Sequence, residues 1–289
     1  MIRTAITAAH TPAAGRLLRL LLNHPDVEVT AMTTTSPVLA GHPVTACHKG
    51  LDGDTDLRFS TSLPAYDRLD AIFVVDEIPA GLPDDLVAIA LNKIDGWVYG
   101  LPELNRKPLV RGARHAFIPS AEATTVATPL LPLAANLMLK GPLKVTVEKG
   151  MLDSELPHGT AAEIGDALRA LQSSFDGEII IERRKGQWHR GTVVTTDVPC
   201  SVAVDEIDRL ARDFFGDHNL THIVSRQPMA DDVATTAKCL VNYSASENGI
   251  RVSAAIDGLL KGQASQAVHV MNLLHGLQEK TGLYLPASE

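Results

Sequence analysis

A cysteine thiolate is the side chain best suited to covalent catalysis near neutral pH, so the thiols are read first. The chain carries three: Cys47, Cys200 and Cys239. They are far apart and odd in number, and none belongs to a CxxC pair. That argues against a disulfide framework and against a zinc site, and no metal is expected. Cys200 and Cys239 fall in or beside strand-like segments and read as small core residues. The polar residues that could line a cleft are Glu103, Arg106, His158, Glu163, Arg184 and Arg190. Together they would suit an anionic small molecule; taken singly, they are ordinary solvated charges. An isolated His158 is more often a loop or helix-start residue than a catalyst.

A dinucleotide is held where a first strand turns into a first helix, on glycines that let backbone approach the pyrophosphate. The matching loop here is Thr7-Ala8-Ala9-His10-Thr11-Pro12-Ala13-Ala14-Gly15. The topology fits, but the glycines are nearly absent. Added Cβ atoms at Ala8, Thr11 and Ala14 restrict positive φ and push a pyrophosphate outward. Pro12 removes one backbone donor. The expectation is a loop that connects strand to helix without holding a cofactor.

The elements around these residues follow from periodicity. Residues 2–7 and 27–33 read as strands flanking a leucine-rich helix that ends near Pro25, a βαβ unit of a parallel sheet. Residues 70–75 read as a buried strand, and 80–91 as a helix with Asp84 and Asp85 in its early turns. Pro119 opens a different region. Helices are expected over 121–140 and 160–174, strands over 143–148, 178–183, 191–196 and 237–243. Glu247-Asn248-Gly249 is a hairpin turn leading to IRVSAAID. A final helix is expected over 263–279. The predicted class is α/β: a Rossmann-like doubly wound parallel sheet, plus an α+β domain with a largely antiparallel sheet. The first domain spans 1–118 and is completed by the closing segment 263–289; the second spans 119–262.

Composition narrows the partners. The 289 residues suit two domains, and 45% apolar content permits a sizeable core. A net charge of −8 argues against nucleic acid, which needs a basic face. No basic run suggests a polybasic membrane patch, and no apolar stretch approaches the roughly 20 residues of a span. With no signal-peptide core at the N-terminus and no disulfide pattern, a cytoplasmic location is expected.

Several segments carry a family resemblance. Tyr99-Gly100-Leu101-Pro102-Glu103-Leu104-Asn105-Arg106 is an unusual octapeptide. With it stand LLRLLLNHPDVEV at 17–29, RHAFIPSAEATTVATPLLPLAANLMLK at 114–140, AAEIGDALRALQSSFD at 161–176, HRGTVVTT at 189–196 and AAIDGLLKGQASQAVHVMNLLHGLQEKTGL at 254–283. These resemble the N-acyl-γ-glutamyl-phosphate reductases of arginine biosynthesis, nearly from end to end. The resemblance implies a semialdehyde dehydrogenase-like fold, NADP(H) as the family cofactor, and a homo-oligomer.

The family chemistry resembles that of glyceraldehyde-phosphate dehydrogenases. A cysteine attacks the acyl phosphate, phosphate leaves, and hydride reduces the thioester to an aldehyde. The family's Asn-Pro-Gly-Cys matches Ile118-Pro119-Ser120-Ala121, so the nucleophile position is Ala121. A methyl group can neither attack nor leave. Ser120 would give an ester, much harder to reduce than a thioester, and Glu122 an anhydride. The family's His-x-His-x-Pro-Glu-Ile matches His158 to Ile164; the first histidine stays and the acid–base position is Thr160. The chain is short between Lys149 and His158, where the family carries a glycine-rich loop. A His-Gly beside the nicotinamide matches Ile78-Pro79, and further cofactor positions read Gly258 and Ala264-Ser265.

Three readings remain open. A non-catalytic homologue would act as a binding or regulatory protein, with no cofactor and with an active reductase paralogue as one partner. An enzyme with altered chemistry would use the polar cleft for a small anionic metabolite. An NADP-dependent reductase would need a displaced nucleophile.

Overall fold

We describe a computed structural model of the chain, in which residues 1–285 are described. Residues 286–289, the end of the expected closing segment, lie outside them. The chain divides into two compact units, one of Met1–Pro119 with Gln263–Tyr284 and one built on Ser120–Gly262.

In the first unit, β1 (Ile2–Ile6) leads into α1 (Pro12–Leu22) and β2 (Val27–Thr33). α1 begins earlier than the sequence suggested. Thr11 is its N-cap, with its hydroxyl accepting from the Ala14 amide, and Pro12 occupies the first turn, where a missing N–H costs nothing. The leucines at 17, 18, 20 and 21 form its buried face. β3 (Phe59–Ser60), β4 (Ala71–Val74), β5 (Val87–Ala90) and β6 (Val98–Tyr99) follow, then α2 (Pro102–Val110) and β7 (His115–Phe117). The sheet order is β3-β2-β1-β4-β5-β7-β6, and all its pairings are parallel.

The helix expected over 80–91 does not form. Pro79, Gly81 and Pro83 break its first turns, and Val87–Ala90 is a fully buried strand. On one face of the sheet, Ile72, Val74, Ala88 and Ala90 pack with Leu63, Tyr66, Leu82, Ile94 and Trp97 from the connecting segments.

The second unit opens with α3 (Ala121–Ala135), capped by Ser120 and buried on all sides. β8 (Leu143–Lys149), α4 (Ala161–Arg169), β9 (Ile179–Lys185) and β10 (Thr192–Pro199) come next. α5 (Val204–Phe214) was not anticipated, although Val204, Ile207 and Ala211 mark an apolar stripe at helical spacing. β11 (Thr221–Ile223), β12 (Cys239–Ser246) and β13 (Gly249–Ile256) complete a sheet ordered β11-β12-β13-β10-β8-β9. Three of its pairings are antiparallel, including the β12–β13 hairpin; β8–β9 and β11–β12 are parallel. The chain then returns to the first unit through a π-helical turn, Leu260–Ala264, and α6 (Ser265–Leu274). α6 packs against α1, α2 and β5, and is shorter than the 263–279 expected. No helix among the described residues is long and apolar enough to cross a membrane.

Candidate functional site

In the first unit, the strand order reverses between β1 and β4, where open parallel sheets bind ligands beyond the strands' carboxyl ends. The turn at that point is stitched to the protein itself. The Thr7 hydroxyl accepts from the Val75 amide and donates to Asp76. The Ala9 amide donates to the Thr33 carbonyl, and Thr11 to Ala8. His48 Nε2 lies 2.6 Å from the Ala9 carbonyl oxygen, and His10 Nδ1 lies 3.0 Å from the Thr34 hydroxyl. Ala8 adopts φ 40°, a left-handed conformation that a glycine would hold without strain. Of the three loop residues singled out from sequence, Ala8 bends the turn, Thr11 caps α1, and Ala14 lies inside the helix. A pyrophosphate needs free backbone amides. Those of Ala9, Thr11 and Ala14 are satisfied internally, and Pro12 has none. Three of the loop's backbone amides are thus already bonded within the protein.

Glu103 and Arg106 also lie in the first unit, on α2. Glu103 is buried, and Arg106 pairs with Glu279.

The second unit holds Ala121, the residue matched in sequence to the family's cysteine. Ala121 begins α3 and is buried; a Cβ on Gly262 would fall 2.4 Å from its methyl group. Next to it, Glu122 has no solvent-exposed surface. Its carboxylate accepts from Arg183 Nη2 at 2.7 Å and Nε at 3.0 Å, and lies 3.2 Å from Lys149 Nζ. His158 Nδ1 is 3.3 Å from both Glu122 Oε2 and Lys149 Nζ. Burial alone would push the Glu122 carboxyl up. The Arg183 guanidinium and the Lys149 ammonium outweigh it and hold the group below the ordinary carboxylate value.

Strand alternation selects these cations. Along β8, Leu143, Val145, Val147 and Lys149 share the buried face. Along β9, Arg183 follows Ile179 and Ile181, and it pairs in register with Val147. Arg184 has the opposite parity, is exposed, and pairs with Glu182. The sequence reading chose Arg184; the residue at the cluster is Arg183, and counting by twos from Ile179 would have found it. Lys149 was missed for the same reason.

Glu163 and Thr160 serve the helix ends. The Ser120 amide and hydroxyl both donate to the Glu163 carboxylate, at 3.0 and 2.9 Å. Thr160 caps α4, its hydroxyl accepting from the Glu163 amide. Arg190 belongs to a separate network. It pairs with the buried Asp257, which also accepts from the Thr235, Leu259 and Leu260 amides. Asp153 accepts nearby from the Gly191 and Gly258 amides and the Thr192 hydroxyl. Burial pushes the Asp257 carboxyl up despite Arg190. Of the four second-unit residues proposed from sequence, only His158 joins the Glu122 cluster.

No family model matches the chain. It is 35% identical to the N-acetyl-gamma-glutamyl-phosphate reductase of Parabacteroides distasonis, with 100% of this chain and 99% of that protein covered. Identity to the enzyme of the same name from Bacteroides thetaiotaomicron is also 35%, with the same coverage. These alignments run over 324 positions, so the relatives carry segments that this chain lacks. Among solved structures, an aspartate semialdehyde dehydrogenase II from Vibrio cholerae, complexed with ASA, superposes at a TM-score of 0.70 and 13% identity, covering 96% of this chain and 98% of that one. The Candida albicans aspartate semialdehyde dehydrogenase with NADP gives a TM-score of 0.68 at 12% identity, covering 95% and 98%. At these identities the structures bear on the fold alone.

Proposed function

Because the chain belongs to the N-acetyl-gamma-glutamyl-phosphate reductase family, we propose that it is a member in which the thioester and hydride steps are lost and the fold is kept for binding or regulation. The observation that carries this reading is Ala121. It stands where the family places its cysteine, packed at the start of α3. No thiol is beside it on the chain: Cys47 lies in the first unit, Cys200 follows β10, and Cys239 is buried in β12. Thr160, at the acid–base position, is a helix cap with no proton to exchange near neutral pH. The self-satisfied loop after β1 supports the absence of NADP(H) as a working cofactor.

The test is titration calorimetry with NADPH, followed by an assay for NADP-dependent, phosphate-dependent oxidation of the acylated glutamate semialdehyde. The expected result is no binding heat and no turnover. Submicromolar NADPH affinity with turnover would overturn the proposal.

The reading includes a homo-oligomer in the cytoplasm, with an active reductase paralogue as a candidate partner through kept surfaces. Mixing the two proteins in size-exclusion chromatography should shift both peaks into one; two unshifted peaks would remove that partner.

A further inference from the structure

The site next to Ala121 is filled rather than emptied. Both Glu122 carboxylate oxygens face cations from two other segments of the second unit, Lys149 on β8 and Arg183 on β9, and His158 Nδ1, before α4, lies 3.3 Å from Oε2 and from Lys149 Nζ. The guanidinium approaches through Nε and Nη2, and Nη2 also donates to the Gly159 carbonyl at 2.8 Å. This is the donor set that a protein builds for a carboxylate ligand: an arginine fork and an ammonium converging on one group, with an imidazole beside both. Two cations face one carboxylate, and Lys149 is itself almost fully buried. The buried Lys149 ammonium without that carboxylate would carry a large desolvation cost. The acids Asp153 and Asp257 are engaged by backbone amides, Thr192 and Arg190. The cluster is reachable from solvent, since the side chains of His158 and Arg183 are 61% and 38% exposed.

We infer that Lys149, Arg183 and His158 form a carboxylate-binding site whose resident ligand is the chain's own Glu122. The inference rests on the reading of the chain as a fold kept for binding without catalysis. It gives that binding role a ligand class, small carboxylates, and a reason for the site being closed to them: it is occupied in cis. A core ion pair that merely stabilises the fold would be specific to its own side chain. A carboxylate site should accept the same group supplied from outside.

The experiment is chemical rescue of Glu122→Ala, with formate and acetate as the probes and chloride at matched ionic strength as the reference. The truncation leaves the three donors and a space the size of the lost group. The variant should gain a saturable thermal stabilisation by formate that the wild type lacks, at about tenfold lower concentration than any wild-type response. Adding Arg183→Met to the variant should abolish the response. Adding Arg184→Met, on the exposed face, should leave it intact. A formate response no larger than that to chloride, or equal in the wild type, overturns the inference. If Glu122→Ala cannot be isolated in chloride, refolding from urea is the readout: recovery in formate alone supports the site, and equal failure in both salts rejects it. No cofactor enters these measurements. Turnover in the assay above would therefore defeat the non-catalytic reading alone, and an absent formate response would defeat this inference alone.

Discussion

His269 Nε2 lies 3.1 Å from Glu279 Oε2, with both side chains almost wholly buried in the first unit. The same carboxylate pairs with Arg106, the last residue of the octapeptide that begins at Tyr99. Gln266 on α6 donates to the Gly100 carbonyl, and Asn272 holds the Glu279 and Thr281 carbonyls while meeting His24. The octapeptide is thus fastened to the closing helix. That gives it a structural role that does not depend on catalysis. Glu279→Ala should cost about 2–3 kcal/mol in urea unfolding, below the range for a fully buried pair because Arg106 is partly solvated. An unchanged midpoint would refute this role.

Restoring the thiol alone should not restore the enzyme. Ala121→Cys returns a sulfur to the start of α3, but Thr160 and the Ala8–Ala14 loop remain as they are. NADPH oxidation with the acyl phosphate should stay at background. Turnover within about a hundredfold of a typical kcat would show the remaining machinery to be intact.

Ala8 offers a test of backbone strain. Left-handed φ costs an alanine about 1 kcal/mol, and its buried methyl returns about 0.8 kcal/mol that glycine would forfeit. Ala8→Gly should therefore unfold within about 0.5 kcal/mol of the wild type. Ala5→Gly, in the buried strand β1, has no strain to relieve and should cost about 1–2 kcal/mol. Equal losses at the two positions would contradict the φ assignment.

A collision tests the packing of the turn. A Cβ on Gly15 would stand 2.3 Å from His48 Nδ1. Gly15→Ala should displace the imidazole from the Ala9 carbonyl and destabilise by about 1–3 kcal/mol, measured by thermal unfolding. The cost should shrink in a His48→Ala background, where the obstacle is gone.

Acid should weaken both units. The Arg3 guanidinium, which donates to Asp70 at 2.9 Å, holds that carboxyl at about 2. The Glu122 carboxyl is also held below its ordinary value. Both pKa values are depressed on folding, so their stabilisation is present above the unfolded carboxylate range and is lost as pH falls through it toward the folded values. Asp70→Asn should flatten the decline in stability toward pH 2 only slightly, because the pair is partly exposed and screened. A stability loss confined to alkaline pH would contradict these signs.

Much of this could be read from the sequence because it depends on local periodicity. β1, the body of α1, β2, β4, α3, β8, β10 and the β12–β13 hairpin follow from runs of two and 3.6 and from Asn248-Gly249, whereas the start of α1 at Thr11 and Pro12 reads from sequence as part of the preceding loop. The match of Ala121 to the family's cysteine position was legible in the sequence because it falls within a recognisable frame. Length and turn residues misled at 80–91, where two prolines and a glycine precede a strand too short to show alternation. α5 was passed over, though its apolar stripe was there to count.

The Glu122 cluster is different in kind. Lys149 and Arg183 lie 34 residues apart, and only the parallel register of β8 and β9 brings them to one carboxylate. The order of residues alone determines that Ser120 and Glu122 flank Ala121 and which side chains alternate inward along β8 and β9. That the face of β9 carrying Arg183 meets Glu122, and that the glutamate is surrounded by cations rather than solvated, was decided by strand pairing and burial. Charge energetics depend on distance and dielectric, and neither exists until the chain has folded.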